Sequence, residues 1–273
     1  MKAHNEYYWQ NKQERTKFAK QHTADMEKKY RKEIEICIDK TKIYDNRSQF
    51  SGHPLIDASM TMEVMTTDTV SALFNCDNQI DGKIAVLNFA SYKNPGGGFM
   101  IGSRAQEECL CQESFLYNVL KAFEKSYYEI NRNDLNRALY RNKALYSPDV
   151  IFEHNGQKRV CDVITCASPN FSAASKFVDR KENNRWLRNR IEFILKIAKA
   201  EAVDTLILGA FGCGVFQQDP EVVARYFIEL SESIFVDSKV RIIFAVIPPL
   251  PNQTDNMTPF IKIVDKWNEK CEK

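Results

Sequence analysis

The 273-residue chain reads as a three-layer α/β/α domain preceded by a helical extension. Three observations predict this. Strand-like runs alternate with helical patterns from about residue 60 onward. Several of these runs are continuously apolar (Ile84–Leu87, Leu206–Leu208, Ile242–Ile247), as suits sheet strands covered on both faces. Before residue 45, by contrast, the chain is charge-rich and its apolar residues recur with a helical period.

Residues 10–44 are expected to be helical. Met26, Tyr30, Ile34 and Ile38 recur every four residues, with Ile36 and Cys37 widening the stripe, so one face is buried as a structural buttress. A polar connection containing Pro and Gly, residues 45–59, separates this segment from the rest. The division expected is an accessory segment at 1–58, packed on the core, and the main α/β domain at 59–273. Within the latter, strands are predicted at Thr61–Thr66, Ile84–Phe89, Asp149–Glu153, Val160–Cys166, Thr205–Leu208 and Val240–Ile247. Helices are predicted at 68–76, 106–125, 181–202, 218–232 and about 258–269.

Composition narrows the function classes. The net charge of +2 exerts no global pull on nucleic acid or membrane, so an anionic ligand needs a local site. Basic residues are interspersed with acids, and no dedicated nucleic-acid surface is evident. No apolar run approaches the ~20 residues of a membrane span. The first residues lack the apolar core of a signal peptide. Of the eight cysteines, Cys109, Cys161, Cys166 and Cys213 sit in or beside apolar or Gly-rich runs, where free thiols behave as small hydrophobes. A reduced, cytoplasmic protein is expected. His4, His22, His53 and His154 are scattered and Cys109-x-Cys111 lacks zinc-ligand spacing, so neither metal nor cofactor is expected.

Seven of the ten glycines fall in two clusters, Gly96, Gly97, Gly98 and Gly102, then Gly209, Gly212 and Gly214. Each cluster follows an apolar strand and precedes a helix, the position of the ligand-binding rim in open α/β sheets. Glycine admits positive φ and close ligand approach, and successive N–H groups before a helix cradle anions. Asp219 and Pro220 mark the N-cap and first position of the helix after the second cluster. Tight turns alone would explain one cluster; two in equivalent positions point to a diphosphate held between them. Neither cluster is a P-loop or a dinucleotide fingerprint.

Seven residues separate Gly98 from Gln106-Glu107-Glu108. Ser103-Arg-Ala-Gln106 has capping-box spacing, which starts a helix near Ser103 and places both acids in its first turn, about 100° apart. Acids are common there because they complement the helix dipole. Their place directly behind a glycine loop favours chemistry instead: glycosidic cleavage needs a protonated carboxyl for the leaving oxygen, and crowding against a second carboxylate and phosphate raises a carboxyl's pKa.

The ordered pair of motifs, Gly96-Gly97-Gly98 then Gln106-Glu107-Glu108, resembles the signature of poly(ADP-ribose) glycohydrolases. "NFASYKNPGGG" and "GAFGCGVFQQDP" resemble the bacterial-type branch of that family, over most of the chain from about residue 26. The resemblance implies a macrodomain fold with a mixed central sheet and an N-terminal helical extension. It implies cleavage of ribose–ribose O-glycosidic bonds with release of ADP-ribose from the polymer or from ADP-ribosylated macromolecules. Glu108 would be the catalytic acid and base, and Glu107 would bind ribose hydroxyls. Gly97 and Gly98 would meet phosphate and ribose, beside Gly96 and Gln106. Gly212, Cys213, Gly214 and Val215 would wrap the diphosphate, and Phe216 would position the ribose at the bond to be cut. Asn88 and Asn94 are candidate ribose contacts, Asn94 equally a turn residue before Pro95. Residues 164–170 (ITCASPN) are placed along the adenine side. In that branch a C-terminal segment caps the polymer's end, giving exo cleavage; the last 25 residues here match no such motif. Two other functions fit the same pocket: removal of single ADP-ribose units, and non-catalytic ADP-ribose reading. Retention of the acidic triplet argues against the latter.

Overall fold

A computed structural model describes residues 11–50, 59–77, 81–249, 251 and 254–271. The first ten residues of the accessory segment, and residues 51–58 of the polar connection, lie outside them. The extension forms two helices, α1 (Lys12–Lys29) and α2 (Arg31–Lys40), which meet at Tyr30. Asn11 starts α1 by accepting the N–H groups of Gln13 and Glu14. Met26, Tyr30, Ile34 and Cys37 are buried as the periodicity requires, and Ile38 is half-buried. Ile36 does not widen the stripe; it is 50% exposed, because two residues place it about 200° from Ile34. Nor does the helix reach residue 44. Lys42–Asp45 is strand β1, and its partner lies a hundred residues further on, where no local pattern reveals it.

The remaining strands are β2 (Met60–Met65), β3 (Ile84–Phe89), β4 (Lys143–His154), β5 (Gln157–Cys166), β6 (Thr205–Leu208) and β7 (Val240–Ala245). They form one sheet in the order β1-β4-β5-β3-β6-β7-β2. Only β4 runs against the others, so the sheet is mixed. The expected strand at Asp149–Glu153 is the second half of β4. Pro148 hides its continuity, since the register shifts between Ser147 and Val150 and Asp149 takes a left-handed φ of 58°. The N–H of Asp149 then donates to Asp162 of β5 at 2.9 Å.

Helices cover both faces. Ala85, Leu87, Leu206, Leu208, Ile242 and Phe244 face a core shared with α8 (Arg180–Ala200), α9 (Pro220–Ile234) and α10 (Met257–Cys271). Ile84, Val86, Ile207 and Ile243 face the opposite core, built with α1, α2, α3 (Thr69–Phe74), α4 (Gln106–Gln112) and α5 (Leu116–Ala122). Each Ile or Phe side chain so buried contributes about 1.5–3 kcal/mol. A single helix over 106–125 is not what forms. It breaks at 113–115, where Glu113 accepts the Glu153 N–H at 2.7 Å and Ser114 bridges to Phe152 of β4. Past α5 the chain winds through a π turn (Glu124–Tyr128) into α6 (Glu129–Arg132). A last short helix, α7 (Phe171–Ala174), precedes α8.

This topology positions the site. β3 and β6 are parallel neighbours. The loop leaving β3 turns to the α4 face and the loop leaving β6 turns to the α9 face. Diverging connections at the carboxyl ends of adjacent strands open a crevice between them, and both glycine loops lie there.

Candidate active site

Gln106 fastens the first turn of α4 to the end of β3. Its Oε1 accepts the Phe89 N–H at 2.8 Å, and its Nε2 donates to the Leu87 carbonyl (2.8 Å) and Thr69 Oγ1 (3.1 Å). The capping box therefore does not form. The helix begins at Gln106, its N-cap residue is Ala105, which makes no side-chain cap, and Ser103 instead fills the space over the Gly98 Cα. A side chain that could have closed the box is committed to the strand.

Both carboxylates are buried, Glu107 at 3% and Glu108 at 8% exposure. Glu107 accepts the Ser91 N–H at 2.7 Å and Asn88 Nδ2 at 3.2 Å. Glu108 Oε1 accepts the Gly98 N–H at 2.7 Å, while Glu108 Oε2 is buried with no hydrogen-bond partner among the described residues. The two acids leave the helix in different directions and have different partners, yet converge on one glycine. An ideal Cβ on Gly97 would lie 2.6 Å from Glu108 Oε1 and 2.8 Å from Glu107 Oε2, and Gly97 takes a φ of 61°. Only glycine satisfies both demands. Burial, more than crowding, governs the titration: it pushes the Glu107 carboxyl up to about 8. The Ser91 N–H and Asn88 pull it down, and the Glu108 charge adds a smaller upward push. Burial thus favours the protonated form of Glu107.

The N-terminal extension braces this loop. Arg15 Nε donates to the Gly102 carbonyl at 2.8 Å, and a Cβ on Gly102 (φ 72°) would collide with the Lys12 carbonyl of α1.

The second loop differs in kind. In the first, the Gly97 N–H is used by the Asn94 carbonyl (3.1 Å) and the Gly98 N–H by Glu108. In the second, the N–H groups of Gly214, Val215 and Phe216 have no partner among the described residues. Gly214 faces open space and Val215 is 81% exposed. Gly212 (φ 77°) presses against Ser168 and Gln218, and Gln218 Nε2 ties the loop to the Pro169 carbonyl at 2.6 Å. Asp219 caps α9 with Pro220 at its first position, as the sequence predicts. Thus the first loop grips a carboxylate and the second presents open donors.

Asn88 is fully buried and serves to hold Glu107; Asn94 is exposed and works through its backbone in the turn. Cys213 is buried, and burial with the nearby Asp219 charge pushes its thiol well up, the behaviour of a small hydrophobe. The stretch 167–170 packs under the second loop, and Asn170 caps α7 by accepting the Ala173 N–H at 3.2 Å. Sequence reasoning missed three participants. Ser91 and Thr69 act through a backbone N–H and a latch to Gln106. Tyr140, at a left-handed φ of 58°, stacks on Tyr92 with ring centroids 4.3 Å apart, and its edge meets Phe216 at 6.2 Å. Tyr92 follows Ser91 directly, so this aromatic pile links the loop that holds Glu107 to the loop that carries Phe216. No His/Cys/Asp/Glu group that could hold a metal occurs among the described residues. None of their helices is long and apolar enough to cross a membrane.

Two buried carboxyls over a glycine loop, at a switch point of a three-layer α/β/α sheet, mark this crevice as the candidate site. Residues 5–155 match the microbial-type PARG catalytic domain (PARG, poly(ADP-ribose) glycohydrolase), and the chain belongs to that family. The fold is similar to that of PARG from Thermomonospora curvata bound to the inhibitor ADP-HPD. Identity is 25%, the TM-score is 0.79, and 91% of this chain and 98% of that one are covered. It is also similar to PARG from Deinococcus radiodurans in complex with ADP-ribose, at 31% identity and a TM-score of 0.72, over 86% and 98% of the two chains. No curated protein matches.

Proposed function

We propose that this chain hydrolyses the ribose–ribose O-glycosidic bonds of poly(ADP-ribose) and releases ADP-ribose. The observation that carries the reading is Glu108: one oxygen fixed by the Gly98 N–H, the other buried and unpartnered among the described residues, beside the glycine that both acids share. The diphosphate lies against the open N–H groups of Gly214, Val215 and Phe216, and Phe216 on its aromatic pile orients the ribose. Glu108 enters the step protonated on Oε2, the oxygen that Gly98 does not hold, and gives that proton to the leaving ribose oxygen as the C–O bond breaks, leaving an oxocarbenium-like centre. It then takes a proton from the attacking water as the new C–O bond forms, which restores the acid. Glu107, neutral and held by Ser91 and Asn88, engages the ribose hydroxyls.

The test is incubation with poly(ADP-ribose) and, separately, with mono-ADP-ribosylated protein, followed by chromatography of released ADP-ribose. Release from the polymer, abolished in Glu108→Gln, is the expected result. Release only from the mono-modified protein, or tight ADP-ribose binding with no turnover on either, overturns it.

A further inference from the structure

Read along the chain, the cations between residues 176 and 188 alternate with acids and polar residues, which hides their arrangement in space. Wound into α8 they separate. Lys181, Arg185 and Arg188 stand at i, i+4 and i+7, within an arc of about 60° and a length of about 10 Å. They lie about 120° round the helix from the buried Leu187, Ile191 and Ile194. All three are exposed, and with the exposed Lys176 they have no acidic partner among the described residues. The acids nearby are engaged elsewhere. Asp179 accepts the Glu182 N–H at 2.7 Å, Glu182 pairs with Arg137 at 2.6 Å, and Glu192 pairs with Lys196 at 2.6 Å. In a chain with a net charge of +2, this is a concentrated positive surface.

Its position adds meaning. Helix α8 follows β5, whose carboxyl end is on the rim, so it starts beside the crevice and descends the outside of the sheet. The second glycine loop is bonded to its entrance: Ser172 N–H donates to the Phe216 carbonyl at 3.2 Å, and Arg180 Nη1 to the Gln217 carbonyl at 3.1 Å. Between these contacts, Phe177 exposes 63% of its surface. An exposed ring beside unpaired cations suits a single-stranded nucleotide polymer, whose bases stack while its phosphates are neutralised; a duplex offers no free base face to the ring.

We infer that this stripe is a track for the uncleaved remainder of the ADP-ribose polymer, leading it away from Phe216 along α8. The inference rests on the hydrolase reading above, so the experiment measures binding and leaves turnover aside. On a Glu108→Gln background, which keeps the polymer intact, the triple reversal K181E/R185E/R188E is compared with its parent. Fluorescence anisotropy with long poly(ADP-ribose) should show at least roughly tenfold weaker binding. The slope of log affinity against log salt should become shallower by about 2, at ~0.7 per lost phosphate contact on a single strand. Affinity for monomeric ADP-ribose should be unchanged, which also certifies the fold. Phe177→Ala, a truncation of an exposed ring, should weaken polymer binding in the same sense. Unchanged polymer affinity in both variants overturns the track. So does a parent that binds single-stranded DNA of equal phosphate count as tightly as the polymer, which would make the stripe a nucleic-acid surface. Absence of turnover in the wild-type chain would sink the hydrolase reading by itself, whatever the stripe does.

Discussion

The backbone N–H of Gly98 donates to Glu108 Oε1 at 2.7 Å, so a glycine loop expected to grip phosphate grips the acid. Fixing one oxygen leaves the other free for the proposed proton transfer. Glu108→Gln keeps an acceptor for Gly98 but has no proton to deliver. Turnover on poly(ADP-ribose) is expected to fall by ~10²–10⁴-fold, while ADP-ribose affinity measured by calorimetry stays near that of the wild type. Near-normal turnover would remove Glu108 from the proposed role.

The glycines separate into two kinds, and substitution should tell them apart. Gly97→Val meets a positive φ and two carboxylates, so both turnover and thermal stability are expected to drop. Gly214→Val has no left-handed φ to violate and open space around it, so the melt should be unchanged while ADP-ribose binding is lost. Wild-type ADP-ribose affinity in Gly214→Val would show that the diphosphate does not approach this residue. In the unsubstituted chain, ADP-ribose at 100 times its Kd should add about 2.7 kcal/mol of stability.

The Glu107 carboxyl titrates at about 8 in the folded chain and at about 4.3 when unfolded. Between these values the folded state binds the extra proton, so stability falls as pH rises from about 4.3 and levels off above about 8. Glu107→Gln removes the titrating group. Denaturant melts from pH 5 to 9 should therefore show a downward slope in the wild type and a flatter one in the variant. Parallel profiles would mean that another group sets the slope.

Tyr140 reaches no predicted ligand contact, yet supports Phe216 from beneath. Tyr140→Leu keeps an apolar side chain, though a smaller one, and removes the 4.3 Å stack on Tyr92, a pair worth about 0.5–1.5 kcal/mol beyond its buried area. With Phe216 free to turn, kcat on the polymer should fall by up to about a hundredfold, for a misplacement of order 1 Å, and KM should change less. A change in thermal stability with kcat intact would reduce the pile to a packing element.

What the sequence disclosed, it disclosed through periodicity and glycine spacing. The apolar runs of β3, β6 and β7 and the Asp219-Pro220 start of α9 are local signals, and each is where the pattern puts it. The failures share a non-local cause. Residues 42–45 become a strand because residues 143–146 pair with them, and the helix after Gln106 breaks because Glu113 and Ser114 bond to β4. Ser103-Arg-Ala-Gln106 spells a capping box that the end of β3 outbids, since Gln106 finds three strand and helix partners there. In the site, the acid pair and both loops were legible as motifs. The upward shift of the Glu107 carboxyl was not, because it follows from burial. The Tyr92–Tyr140 stack was equally hidden, for no spacing links two rings 48 positions apart.

Strand β3 sits at the centre of the sheet but comes early in the chain. Its flanking strands start at Gln157 and Thr205, after both acids have been synthesised. The segment 5–155, which bears the family's signature, therefore contains Glu107 and Glu108 yet neither neighbour of the strand that anchors them. Cut out by itself it would expose both edges of an apolar strand, an invitation to self-association. Assembly of the crevice is thus a late event in this chain's life: a growing polypeptide carries both acids for more than fifty residues before the strands that flank β3 are complete.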